Sequence, residues 1–175
     1  MDTPISETLL LRPVALSAER FRPYGDVIEP RPGARVGMND ARFDRFNDLA
    51  AVDIGADSGG RTCIGIARCN RATSLPYRIT MVERHALGSQ AFVPMGEFRF
   101  VVVVGPPGES TASADLRAFI TSPGQGVNYR PGVWHMPLIA LEPGQVFLVI
   151  DRGGGQAADN CEERLLDSAV TLLGE

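Results

Sequence analysis

Lysine is absent from this chain, so all 17 of its basic side chains are arginine. That excludes chemistry built on a lysine Schiff base or a lysine general base. Histidine is nearly as scarce, with His85 and His135 the only two. Neither a GxSxG elbow nor a glycine-rich phosphate loop occurs, which removes the commonest serine-hydrolase and nucleotide signatures. The three cysteines, Cys63, Cys69 and Cys161, make neither an even set nor a CxxC pair. On one strand, positions 63 and 69 lie roughly 20 Å apart, so reduced thiols in a cytoplasmic protein are expected. The longest apolar run, Val101 to Val104 with its flanks, is far too short to cross a bilayer. The stretch after Met1 has an early acid and no apolar core, so neither export nor membrane insertion is expected. A net charge of −4 and a pI near 5.2 give no electrostatic footprint for nucleic acid or an anionic membrane. The expected partner is a small soluble molecule.

What is present points to β-structure. The chain has 175 residues, 44% of them apolar and 22% charged, which suits one domain over residues 1–175 with a substantial core. Nineteen glycines and 13 prolines indicate many turns between short strands. Leu9–Leu11 reads as a first strand, and Ser17 is placed to cap a short helix through Ala18–Phe21, ended by Pro23. Residues 30–37 read as a loop, and residues 38–49 have no clear period and suit a lid or an interface. Strands are expected at 62–68, 77–85, 91–94, 98–104, 116–121, 127–129 and 146–150, the run at 98–104 being covered on both faces. Residues 105–108 read as a turn, and the tail from Asp151 to Leu166 as a strand or a short helix.

Two stretches carry the chemistry, Glu83–Gln90 and Gly126–Leu138, with one histidine in each. If residues 83–85 lie on a strand, Glu83 and His85 share one face and Arg84 takes the other. Glu83, His85, Gln90 and His135 then offer two nitrogens and two oxygens to a divalent metal such as nickel, manganese, iron or zinc. Taken singly, either histidine also suits an ordinary core position.

Glu83-x-His85-x4-Gln90, together with Gly126-x4-Pro131-Gly132-x-x-His135, resembles the two motifs of the cupin fold. The wider cupin pattern has His where this chain has Glu83 and Glu where it has Gln90. More narrowly, Glu83–Met95, Leu116–Phe119 and the run from Gly124 to Leu138 resemble the signatures of the ureidoglycolate lyase family. So do Phe21 to Ile28, Asn39 with Asp48-Leu49-Ala50, Leu75-Pro76, Asp151–Gly154 and Asn160-Cys161. The resemblance implies an all-β cupin-type double-stranded β-helix, a jelly-roll barrel with a few short helices. It implies a cytoplasmic homodimer that splits (S)-ureidoglycolate to glyoxylate and urea in allantoin and purine breakdown, with a divalent metal, nickel, and no organic cofactor. Glu83, His85 and His135 are then the expected catalytic residues, and Gln90 joins them as metal ligand or substrate contact. Arg117 is the expected fork for the substrate carboxylate, with Asn39, Tyr129 and Trp134 as further contacts. A hydrolase releasing ammonia and carbon dioxide, and a non-catalytic cupin binding a small acid or sugar, remain alternatives.

Overall fold

The computed structural model describes residues 8–154 and 160–175. The N-terminal stretch read for export and the Gly155 end of the glycine run lie outside them. β1 (Leu9–Leu11) and β2 (Val14–Ala15) lead into α1 (Ala18–Phe21), where the Ser17 hydroxyl accepts from the Arg20 amide at 3.3 Å and caps the turn. β3 (Gly25–Ile28) follows. Residues 30–37 are not all loop, because Arg35–Met38 forms β4 and pairs with β5 (Phe43–Phe46) in a two-stranded hairpin. Its connecting turn holds Asn39, Asp40 and Ala41 at φ of 54°, 55° and 62°, a region where Asn and Asp are tolerated and Ala is rare.

β6 (Arg61–Arg68), β7 (Tyr77–His85), β8 (Gln90–Pro94) and β9 (Phe100–Pro107) come next. The turn expected at 105–108 is displaced: Gly105, Pro106 and Pro107 continue β9, and the chain turns only after them. They are followed by β10 (Arg117–Ile120), β11 (Gly126–Tyr129), β12 (Val133–His135), β13 (Ile139–Ala140), β14 (Val146–Gly153) and β15 (Cys161–Leu172). The tail is thus a strand rather than a helix.

One sheet runs β1-β15-β7-β12-β9-β10-β2, with β13 alongside β9, and a second runs β3-β11-β8-β14-β6. The curled sheets form a half-barrel, a cupin-like all-β architecture. Val102 and Val104 pack between the sheets with Phe21, Phe92, Val127 and Phe147, while Val101 and Val103 pack on the other face with Trp134, Ile79 and Leu172. Burial on both faces is what a run of four valines favours, at about 2 kcal/mol for each side chain removed from water.

The two strands carrying the histidines belong to the first sheet, and their register places His135 directly opposite Glu83. β7 ends at His85, and the turn after it passes through Gly88, where an added Cβ would stand 2.8 Å from the Arg152 side chain and 3.1 Å from the Asp53 carbonyl. That crowding lets Ser89 exchange hydrogen bonds with Asp53 and turns the chain into β8 at Gln90.

Candidate active site

Alternation along β7 separates Glu83 and His85 from Arg84, as the sequence predicts. Arg84 turns to the outer face, where it is buried against Glu162 at 2.6 Å and bonds the Gly108 carbonyl. Glu83 and His85 instead meet His135 between the sheets. One ligand-type atom from each of the three lies within 4.8 Å of the others, and the imidazole centroids of His85 and His135 are 5.3 Å apart.

Backbone carbonyls fix the tautomers. Nδ1 of His85 stands 3.2 Å from the Asn160 carbonyl, and Nδ1 of His135 stands 2.9 Å from the Val133 carbonyl. A carbonyl only accepts, so each Nδ1 must carry a proton, and the lone pair of either ring in its neutral form is at Nε2. Both Nε2 atoms are buried and lack a hydrogen-bond partner among the described residues. Nε2 of His135 lies 3.5 Å from Glu83 Oε1, close in charge but long for a strong hydrogen bond.

The second sheet supplies the opposing wall. Tyr129 stacks on His135 with centroids 4.4 Å apart and an interplanar angle of 23°. Gln90 pairs with Tyr129 across β8 and β11. Its Nε2 reaches toward Asp151 at 3.5 Å, and its Oε1 is another buried acceptor without a partner. The environment sets the charges. The His135 imidazole holds the Glu83 carboxyl below its ordinary value of 4.5, against the opposing effect of burial. Burial, and next the neighbouring His135 imidazole, lower His85 from 6.5. Burial, and then Glu83, push the Tyr129 phenol up, so it stays protonated.

Of the six buried side-chain polar atoms without partners among the described residues, three are acceptors on His85, His135 and Gln90. Buried acceptors left bare beside a carboxylate call for a positive group, since each costs about 1–3 kcal/mol when unmet. The donor set, two imidazole nitrogens with carboxylate and amide oxygens, fits a divalent transition cation, and the carbonyls behind both histidines are the outer support such ligands need.

Comparison with known proteins finds relatives along nearly the whole chain. The family model described as ureidoglycolate lyase matches residues 8–173. A Burkholderia mallei (strain NCTC 10229) protein named ureidoglycolate lyase is 48% identical over 169 residues, covering 97% of this chain and 95% of the relative. Proteins of the same name from Burkholderia cepacia and Pseudomonas fluorescens (strain SBW25) are 43% and 39% identical, covering 96% and 95% of this chain and 93% and 96% of the relatives. This chain belongs to the ureidoglycolate lyase family.

Not every residue expected at a ureidoglycolate lyase site gathers here. Trp134 is fully buried on the outer face, its Nε1 donating to the Gly108 carbonyl at 3.0 Å, with Arg84 4.9 Å and Arg164 5.3 Å from its ring centroid. The reason is the same period of two that turned Arg84 outward. Arg117 shares a row with His135 through Val104, two strands away or roughly 10 Å, and its guanidinium donates to the carbonyls of Leu116 and Ala114. Asn39 is exposed in the β4–β5 turn, and no side-chain hydrogen bond ties it to Glu83, His85 or His135 among the described residues. Two residues were missed as site neighbours. Asn160 orients His85 through its carbonyl and accepts from the Leu87 amide at 2.9 Å, and Cys161 lies 3.9 Å from Glu83 Oε2. The pairing of β15 with β7 that brings them there has no local sequence signal.

Proposed function

We propose that this chain splits (S)-ureidoglycolate into glyoxylate and urea, as an enzyme of allantoin and purine breakdown. The observation that carries the reading is the convergence of Glu83 with the unpartnered Nε2 atoms of His85 and His135, with Gln90, whose Oε1 is also unpartnered, beside Tyr129 on the facing sheet.

Ureidoglycolate carries a hydroxyl and a urea nitrogen on one carbon. Cleavage removes the hydroxyl proton, forms the aldehyde C=O, breaks the C–N bond and returns one proton to the departing nitrogen. Glu83, whose carboxyl lies below its ordinary value, is the group that takes the hydroxyl proton and hands it to the urea nitrogen, so no water is consumed. His85, His135 and Gln90 are the residues that would hold a divalent cation, nickel in our reading. When bound there, the cation polarises substrate oxygens as a Lewis acid. Asn160 and Val133 keep both Nε2 atoms turned inward through their carbonyls. Tyr129 walls the site from the second sheet and keeps His135 dry.

In this reading residues 1–175 form one domain that works as a cytoplasmic homodimer on a small soluble substrate. Product analysis tests the reaction. One urea per glyoxylate is expected, whereas ammonia and carbon dioxide in place of urea would make the enzyme a hydrolase.

A further inference from the structure

β14 carries an acid that the reaction above leaves unused. Phe147 is buried in the cluster between the sheets and Val149 packs against it, so the two-residue period also turns Asp151 inward and Arg152 outward. Arg152 reaches instead for the carbonyls of Ile54 and Gly55. Tyr129 pairs with Gln90, and Ala91 pairs with Ile150. Continued by one step, the second ladder sets Asp151 opposite Gln90, in agreement with the 3.5 Å from Gln90 Nε2 to Asp151 Oδ2. Directly opposed residues share a face. Tyr129, Gln90 and Asp151 therefore make one row across the second sheet, on the wall where Tyr129 stacks on His135. The charge of Asp151 is felt at the His85 imidazole, as a small effect favouring its protonation.

This carboxylate is only partly engaged. Its Oδ2 takes the Gln90 amide, and Oδ1 has no hydrogen-bond partner among the described residues. Asp151 is half-buried, and Oδ1 is not among the sealed polar atoms that lack a partner, so it is open to a ligand. The substrate of the proposed reaction calls for such a group. Ureidoglycolate presents a carboxylate, a hydroxyl and a ureido arm whose nitrogens are hydrogen-bond donors. Glu83 is committed to the hydroxyl proton and the histidine lone pairs to a cation, so the arm needs another acceptor, without which its desolvated N–H groups weaken binding.

We propose that Asp151 recognises the ureido arm, accepting one of its N–H groups at Oδ1 while Oδ2 keeps the Gln90 amide in place. The assignment rests on the reading that ureidoglycolate is the substrate. It makes Asp151 a specificity-determining residue, which separates ureido acids from plain hydroxy acids because a site built to receive a donor rejects the analogue that lacks it.

Two unreactive probes isolate the arm. Hydantoate has the carboxylate and the ureido group without the hydroxyl, and glycolate has the carboxylate and the hydroxyl without the ureido group. Calorimetric titration of each into the intact, nickel-supplied protein tests the assignment in wild type, Asp151→Asn and Asp151→Ala, with unfolding midpoints as the check on folding. Both probes are carboxylates, so the loss of a negative side chain acts on them alike and drops out of the ratio of their affinities. Asp151→Ala should lower hydantoate affinity relative to glycolate about tenfold or more, and Asp151→Asn, which keeps a carbonyl acceptor, should lower it less. If Asp151→Ala does not fold, the same direction of change in Asp151→Asn decides. An unchanged ratio in the folded variants, or a wild type that does not bind hydantoate, overturns the role of Asp151. Ammonia in place of urea among the wild-type products would change the reaction and leave this assignment standing, because the arm recognised is the same.

Discussion

The phenol ring of Tyr129 lies on the imidazole of His135 at 4.4 Å, and the two come from different sheets. This stack joins the walls of the half-barrel at the reacting centre, so it bears on stability and on activity together. Tyr129→Ala should lower stability by about 3 kcal/mol, as loss of a buried aromatic does. Tyr129→Phe, which keeps the ring, should cost less than about 1.5 kcal/mol. Guanidinium unfolding midpoints with unchanged slopes check both values, and equal losses in the two variants would contradict a role for the stacked ring.

On the outer face, Arg84 links Trp134 to Glu162 and Gly108. Its partners Glu162 and Glu109 are partly or fully exposed and regain water when it is removed, so the loss is smaller than for a fully buried pair. Arg84→Ala should destabilise by about 2 kcal/mol. The loss should be little changed by raising the salt concentration, because Arg84 is shielded from solvent. A loss that vanishes in high salt would mark the contact as a simple surface ion pair.

Acid should weaken the fold in two stages. His85 is lowered from 6.5 in the folded protein, so below pH 6.5 the unfolded chain takes up a proton that the folded one resists. Stability therefore falls as pH drops from 6.5 toward the folded value, and is fully present above 6.5. Glu83 is lowered from 4.5, so its contribution is present above 4.5 and is lost as pH falls through its folded value. Stability measured from pH 7.5 to 4 should show the first stage in wild type and lack it in His85→Gln. An identical profile in the two proteins would contradict the assignment.

Much of this site was legible because one rule, the two-residue period of a strand, governs it. That rule put Glu83 with His85 and sent Arg84 away before any register was known. Applied equally to His135, it also sends Trp134 to the outer face; sequence proximity was the weaker guide there. Arg117 shows the limit. Its row is set by the β9–β10 and β9–β12 registers, which depend on pairings across distant parts of the chain. Cys161 and Asn160 were hidden for the same reason, since they reach the site through a strand pairing that spans some 80 residues of chain. The β4–β5 hairpin escaped detection because its turn uses Ala41 at positive φ, where no turn preference marks the position.

The account depends most on His135, which is buried, stacked by Tyr129, opposed to Glu83 and oriented by the Val133 carbonyl. The most direct test is steady-state urea release from (S)-ureidoglycolate by His135→Ala, with nickel supplied and folding verified. The account predicts a fall of about a hundredfold or more in kcat/KM. Urea release at the wild-type rate would contradict it.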